Sequence, residues 1–200
     1  MKLINLTIKV AVFMIAFLVV NAKYVSTHRG EKVNKTEVPQ EQVATTKNDT
    51  RSGPMKITTD FEHMGQIPSI YTCDGQDAAP IIHISDVPTN TQELALIVDD
   101  PDAPMGTWVH WVVYNIPANT TTIDNNNLPT EAKLGITDFG RFGWGGPCPP
   151  NGQHRYFFKL YALDKKLELS IGAKKSELET AMQGHIIEQA EIVGLYKRIK

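Results

Sequence analysis

Residues 93–116 read ELALIVDDPDAPMGTWVHWVVYNI, two strand-forming runs joined by a loop that contains two prolines. Residues 93–99 form an almost continuous apolar run, which is typical of a strand buried on both faces. Residues 107–116 are rich in aromatic and β-branched residues, and residues 154–163 repeat that design. Prolines stand at the ends of these runs, where they remove no hydrogen bond from a sheet. The pattern predicts a mainly β protein.

The strand pattern also predicts which side chains share a face of the sheet. Successive side chains of a strand point to opposite faces, so His110 and Trp111 should lie on opposite faces of their strand. His154 and Tyr156 are two residues apart and should share a face, whereas Arg155 should point away from them.

One helix is expected near the C-terminus. Ser176 is the candidate N-cap, and Glu179, three residues later, completes a capping box. Apolar residues recur at helical spacing from Leu178 to Ala190, and residues 192–196 could form a last short strand. We therefore expect an antiparallel β-sandwich with a C-terminal helix.

The composition limits the classes of protein to consider. With 200 residues, 42% of them hydrophobic, the chain can form one domain with a core, plus appendages. The formal net charge of -2 provides no basic surface for nucleic acid, so we expect no nucleic-acid partner. The chain contains neither Gly-x-Ser-x-Gly nor His-Glu-x-x-His, two motifs of hydrolases. We predict a protein that is not an enzyme and needs no cofactor.

The N-terminus has the pattern of an export signal. Lys2 and Lys9 precede an apolar run of 11 residues at 10–20, which suits a signal peptide and is too short to span a bilayer. We expect residues 1–22 to be a signal peptide and the protein to be exported, either periplasmic or secreted. The alternative is an uncleaved membrane anchor, because residues 3–8 could lengthen the run. Contact with a membrane is expected only through that anchor.

A polar segment separates this signal from the rest of the chain. Residues 23–53 are rich in Lys, Glu, Thr, Asn and Gln and contain almost no large apolar residues. Such a segment buries too little surface to offset the entropy of ordering it. We predict a flexible linker at 23–53 and the folded domain at 54–200.

The chain has two cysteines, Cys73 and Cys148, both in loop sequence rich in Gly, Pro and Asp. In an oxidising compartment they could form one disulfide. Sequence gives no distance between the two residues, so two free thiols are an equal alternative. The absence of a Cys-x-x-Cys pair argues against a zinc knuckle.

Two stiff loops carry polar residues that could form a binding site. The first contains Asp99, Asp100 and Asp102, and a carboxylate held there could orient a neighbouring imidazole. Two prolines interrupt the spacing of a calcium loop, so we predict no metal site. Instead of orienting an imidazole, the aspartates could simply cap the turn by bonding their own backbone. The second loop contains Gly145 and Gly146, whose amides could cradle an anion or form an ordinary turn.

Two histidines lie in strand runs that adjoin these loops. A lone histidine such as His110 in an aromatic strand is usually a core residue, but His154 heads a second such run. If the two runs converge, imidazoles close to carboxylates would stay protonated more readily. Tyr156 could add its hydroxyl from the face of His154. The residues therefore predict a small cationic pocket for an anion.

Several ordered segments resemble the phosphatidylethanolamine-binding protein (PEBP) family, most closely its bacterial and archaeal Raf-kinase-inhibitor-like branch. The similarity extends over about residues 55–198. The segments that carry it are VDDPDAP at 98–104, WVHW at 108–111, GGPCPPNGQHRY at 145–156, GHIIEQAE at 184–191 and YTCDG at 71–75.

The resemblance implies a sandwich of two antiparallel sheets with a small anion pocket at one end, where relatives bind phosphate or phosphorylated head groups. By position, it assigns to that pocket Asp100, Asp102, His110, Gly145, Gly146, His154 and Tyr156. It therefore implies non-catalytic binding of a small anionic ligand. Because some relatives inhibit a kinase or a protease, inhibition of such a partner through protein–protein contact is the alternative function.

Overall fold

The structure is a computed structural model, and it describes residues 51–198. Within that range the chain forms two sheets and one α-helix, so the prediction of a mainly β sandwich with a C-terminal helix is confirmed. The elements are β1 (Lys56–Thr58), β2 (Gly65–Gln66), β3 (Ile82–Ser85), β4 (Glu93–Asp100), β5 (Trp108–Pro117), β6 (Thr122–Ile123), β7 (Lys133–Leu134), β8 (His154–Leu163), α1 (Lys175–Met182) and β9 (Ile186–Tyr196).

The larger sheet has the strand order β2-β9-β8-β4-β5-β7, and the smaller sheet has the order β1-β3-β6. β4 therefore lies between β5 and β8 and is antiparallel to both. One pair departs from the predicted antiparallel arrangement, because β2 runs parallel to the end of β9. This pair joins only two residues at the edge of the sheet, and the long strands remain antiparallel.

The larger sheet is apolar on both faces. Leu96 of β4 belongs to the core that faces the smaller sheet, whereas its neighbour Ile97 belongs to the core under α1. Leu178 and Met182 of the helix are buried in that second core. Every residue of β4 is buried, which confirms that the apolar run is a strand covered on both faces.

The helix begins and ends at other residues than the capping pattern predicts. The N-cap is Lys174, whose amide donates to the Glu177 carboxylate at 2.7 Å, so the predicted capping box is wrong by two residues. Gly184 has a φ of +75°, a conformation that ends a helix. The predicted helical spacing therefore stops before Ala190, which lies in β9, an 11-residue strand rather than a short one.

A β-bulge interrupts the side-chain alternation of β5. Val98 pairs with Trp111 and the next residue, Asp99, pairs with Val109, so His110 is an extra residue in the ladder. The rings of His110 and Trp111 both contact Trp144, at centroid distances of 6.3 and 5.8 Å. The prediction that these two side chains lie on opposite faces is wrong, because a bulge re-aims the side chain beside it.

β8 follows the predicted alternation. His154 and Tyr156 are buried, whereas Arg155 between them is exposed. Tyr156 belongs to the core that faces the smaller sheet. The regular strand thus turns two polar side chains inward at its first residues.

The N-terminal predictions fall mainly outside the described residues. These are the signal peptide at 1–22 and residues 23–50 of the linker. At the end of the predicted linker, Arg51 forms an ion pair with Glu188 of β9. Between residues 51 and 198, no helix has both the length and the apolar character needed to cross a membrane.

Cys73 and Cys148 are joined by a disulfide, with their Cα atoms 5.4 Å apart. The bridge connects the loop around residues 72–78 to the Gly- and Pro-rich loop before β8. The Cys73 amide also donates to the Pro147 carbonyl at 3.1 Å. Of the two alternatives that the sequence leaves open, the structure has the bridged form.

Replacing both cysteines by serine should lower the free energy of unfolding by about 3 kcal/mol, because a bridge across a long loop restricts the unfolded chain. The two residues are 75 positions apart. Denaturant titration followed by tryptophan fluorescence measures the change. The matched control is wild-type protein with a thiol reductant, which should fall to the stability of the Cys73→Ser/Cys148→Ser variant. Equal stability of the oxidised protein and the variant would contradict the expectation.

Candidate functional site

A cavity of about 320 Å³ opens at one end of the larger sheet. Because β4 is antiparallel to β5 and β8, its last residue, Asp100, meets the first residues of both neighbours. This geometry brings together three segments that are distant in sequence. The cavity has a small polar floor and mostly apolar walls, and it is lined by Asp100, Ala103, Pro104, Met105, Trp108, His110, Phe139, Cys148, Pro149, Pro150, His154 and Tyr156.

A buried carboxylate holds one of the histidines. Nδ1 of His154 lies 2.7 Å from Oδ2 of Asp100, and only 5% and 3% of these residues are exposed. The other carboxylate oxygen accepts a hydrogen bond from the Asp102 amide at 2.8 Å. Because Nδ1 of His154 is engaged, Nε2 is the nitrogen that remains for a ligand. The predicted pairing of a loop aspartate with an imidazole is therefore present in the structure.

His110 is held by a backbone carbonyl. Its Nδ1 lies 2.5 Å from the Gly145 oxygen, and its ring packs edge-on against Phe139 and Tyr156. A carbonyl can only accept, so Nδ1 carries the proton and Nε2 remains for a ligand. Burial lowers the pKa of His110, although the bond to Gly145 and the charge of Asp100 oppose this effect. The expectation that nearby carboxylates keep this imidazole protonated is wrong, because desolvation outweighs them.

Tyr156 adds a hydroxyl to the floor. Its side chain is fully buried, and the hydroxyl lies beside the Asp100 carboxylate. Burial, reinforced by the negative charge of Asp100, raises the pKa of Tyr156, so the hydroxyl keeps its proton at neutral pH. Both Asp100 oxygens are already bonded to other groups, so an anionic ligand in the cavity could accept a hydrogen bond from this hydroxyl.

The glycine pair does not act as the sequence suggests. The Gly145 amide donates to the His110 carbonyl at 3.0 Å, and the Gly146 amide donates to Oδ1 of Asp77 at 2.6 Å. Both amides are therefore already used, and the predicted amide cradle for an anion is corrected. Gly145 contributes to the site through its carbonyl, which orients His110.

The three aspartates point in three directions, so they form no shared metal site. Asp99 faces the core under α1 and pairs with Lys159 and Lys175 at 2.8 and 3.0 Å. Asp102 forms a two-point ion pair with Arg155, which lowers the pKa of Asp102 to about 2. The described residues include no group of three potential metal ligands.

Asp102, which the sequence assigns to the pocket, is bonded to Arg155 instead. It does not line the cavity. Besides the ion pair, its carboxylate accepts a hydrogen bond from the Arg155 amide at 2.9 Å. Since Arg155 stands between the two inward-facing residues of β8, this contact ties the proline-rich loop to that strand beside the site.

The apolar walls of the cavity are not among the residues that the sequence pattern predicts. Trp108 and Phe139 pack edge-on at a centroid distance of 5.5 Å, and Met105 is 94% exposed at the mouth. Trp108 could have been found, because strict alternation already places it on the face of His110. Phe139 and Met105 lie in loops, where no periodicity indicates direction.

Comparison with known proteins gives one family. A sequence profile of the phosphatidylethanolamine-binding protein family matches residues 57–197. A UPF0098 protein of Methanothermobacter thermautotrophicus is 48% identical in an alignment of 143 residues that covers 69% of this chain and 95% of that protein. A UPF0098 protein of Aquifex aeolicus is 51% identical in an alignment of 145 residues that covers 69% of this chain and 85% of that protein.

Two solved structures have a similar fold. One is a PEBP homologue from Chlamydia trachomatis, with 38% identity and a TM-score of 0.70 over 74% of this chain and 100% of that one. The other is YbcL of Escherichia coli, described as a new member of the mammalian PEBP family. It has 31% identity and a TM-score of 0.69 over 74% of this chain and 100% of that one.

The corrected role of the glycine pair can be tested with Gly146→Ala. A Cβ atom there would lie 2.4 Å from both the Tyr71 carbonyl oxygen and Oδ1 of Asp77, so the two loops would have to separate. We expect the free energy of unfolding to fall by about 1–3 kcal/mol, measured by denaturant titration. Gly53→Ala is the control, because its added Cβ has no atom within 4 Å. Unchanged stability of Gly146→Ala with weakened anion binding would instead support a ligand role.

Proposed function

The chain belongs to the phosphatidylethanolamine-binding protein family, and we propose that it binds a small anion, phosphate or a phosphorylated head group, without catalysis. The observation that carries this proposal is the convergence of three side chains on one cavity. His110, His154 and Tyr156 come from two different strands, and all three line the same floor. Each retains an atom that can bond a ligand, Nε2 of either imidazole or the tyrosine hydroxyl.

The surroundings of these atoms favour a negatively charged guest. Hydrogen bonds to a charged group are roughly twice as strong as neutral ones. Apolar walls such as Trp108 and Phe139 lower the local dielectric and strengthen them further. The volume of about 320 Å³ is within the range of small-molecule sites. The cavity therefore has room for an organic head group as well as for its anionic part.

The lining residues support binding rather than covalent catalysis. Among the described residues, those that line the cavity include no serine, threonine or lysine. The one lining cysteine, Cys148, is in the disulfide and has no thiolate to attack a substrate. A histidine oriented by a carboxylate remains, but the lining offers it no serine or threonine hydroxyl and no free thiol to activate.

The exposed rim favours a second candidate function, inhibition of a protease or kinase through protein contact. Met105 is 94% exposed and Phe139 is 39% exposed at the mouth of the cavity. Exposed apolar side chains grouped around a site are typical of contact surfaces. Inhibition of a purified protease or kinase that Met105→Ser abolishes and His110→Ala leaves intact would support this function. Inhibition that Met105→Ser does not weaken would count against it.

His110→Ala should weaken phosphoethanolamine binding by about tenfold to a hundredfold, because it removes one hydrogen bond to a charged ligand. Tyr156→Phe should weaken binding in the same direction while it preserves the shape of the ring. Isothermal titration calorimetry measures both. His185→Ala is the matched control, since that histidine pairs with Asp164 outside the cavity. Equal affinities of the His110→Ala and His185→Ala variants would contradict the proposed site.

A further inference from the structure

The hydrogen bond of His110 determines what its free nitrogen can do. A neutral imidazole has one N–H, and the contact with the Gly145 carbonyl requires that this hydrogen be on Nδ1. Nε2 of the neutral ring is then a lone pair. A lone pair repels an anionic oxygen, whereas a protonated Nε2 donates a hydrogen bond to it. An anionic oxygen that carries no proton is thus accommodated at this nitrogen only when the ring gains a second proton.

Burial of the His110 ring keeps it neutral when no anion is bound. Only 3% of His110 is exposed, and burial lowers its pKa below the ordinary value of 6.5. The neighbouring negative charges only partly oppose this effect. The negative charges that act on the ring are those of Asp99 and Asp100 from β4 and of Asp138 from the loop before the glycine pair, and the titratable groups that line the same cavity are Asp100 and, from β8, His154 and Tyr156.

We propose that binding of an anion in this cavity draws about one proton from solution onto Nε2 of His110. This inference rests on the proposed function and adds its regulation, because affinity then depends on pH. The proton forms a new N–H bond and comes from solvent, so no other reactant is needed.

The consequence is stronger binding in mildly acidic solution. In the free protein His110 titrates below its ordinary range, and in the complex the anion raises that titration point. Between these two points, affinity should rise about tenfold for each unit by which the pH falls. A phosphate monoester has a second pKa near 6 and could also bring the proton itself. A sulfate monoester has no such proton, so it isolates what the protein takes up.

Calorimetric titration with 2-aminoethyl sulfate at several pH values up to 7.5 measures this uptake directly. The experiment is run in two amine buffers of different ionisation enthalpy, so that no buffer anion competes for the cavity. Between the titration points of the free and the bound ring, we expect an uptake that approaches one proton for each bound ligand. An uptake near zero, or a release of protons, would overturn the inference.

A substitution assigns the proton to one residue. The amide nitrogen of Gln in His110→Gln reaches roughly the position of Nε2 and donates without being charged. Proton uptake should therefore fall by about one proton for each bound ligand in this variant, and its affinity should vary less steeply with pH. His185→Gln, outside the cavity, should keep the wild-type uptake. Unchanged proton uptake by His110→Gln would mean that the proton goes elsewhere and would overturn the inference.

Nuclear magnetic resonance of the imidazole nitrogens keeps the test independent of that variant. With saturating 2-aminoethyl sulfate at pH 7.5, the Nε2 signal of wild-type His110 should move to the protonated position. A signal that stays neutral overturns the inference. If this probe or phosphoethanolamine binds but no proton is taken up, the proposed function stands and only the inference fails. If neither ligand binds, both proposals are overturned.

Discussion

One buried carboxylate joins the parts of the site. Asp100 ends the central strand, and its two oxygens bond the Asp102 amide of the next loop and Nδ1 of His154 on the neighbouring strand. A buried carboxylate is tolerated only when such partners satisfy it. The same contacts fix the loop and the imidazole, so the constraint that makes Asp100 acceptable in the core also shapes the cavity. Asp102 extends this connection through its ion pair with Arg155.

The polar floor depends equally on an irregularity in a strand. Without the extra residue in β5, His110 could not share a side with Trp111, and it would not reach Tyr156. At the bulge, His110 lacks a regular pairing partner in β4. Gly145 partly compensates, because its amide donates to the His110 carbonyl and its carbonyl accepts from Nδ1 of His110. A rigid sheet therefore presents two imidazoles with their Nδ1 atoms already engaged. The preorganised arrangement leaves little conformational entropy to be lost when a ligand binds.

Sequence patterns predicted the features that depend on local periodicity. The doubly buried β4 and the inward-facing pair His154 and Tyr156 follow from apolar runs and strict alternation. The bulge at His110 was not predictable, because the letters around it fit an ordinary alternating strand. The use of the Gly146 amide depends on Asp77, which lies 69 positions earlier in the chain. The disulfide stayed an open alternative for the same reason, since only the fold brings its two loops together.

A crystal structure with phosphoethanolamine bound tests the central claim most directly. The account predicts one anionic group within about 3 Å of Nε2 of His110, of Nε2 of His154 and of the Tyr156 hydroxyl. It also predicts that Nδ1 of His110 keeps its bond to the Gly145 carbonyl. An anion bound at another surface, or an imidazole turned so that this bond is broken, would contradict the account.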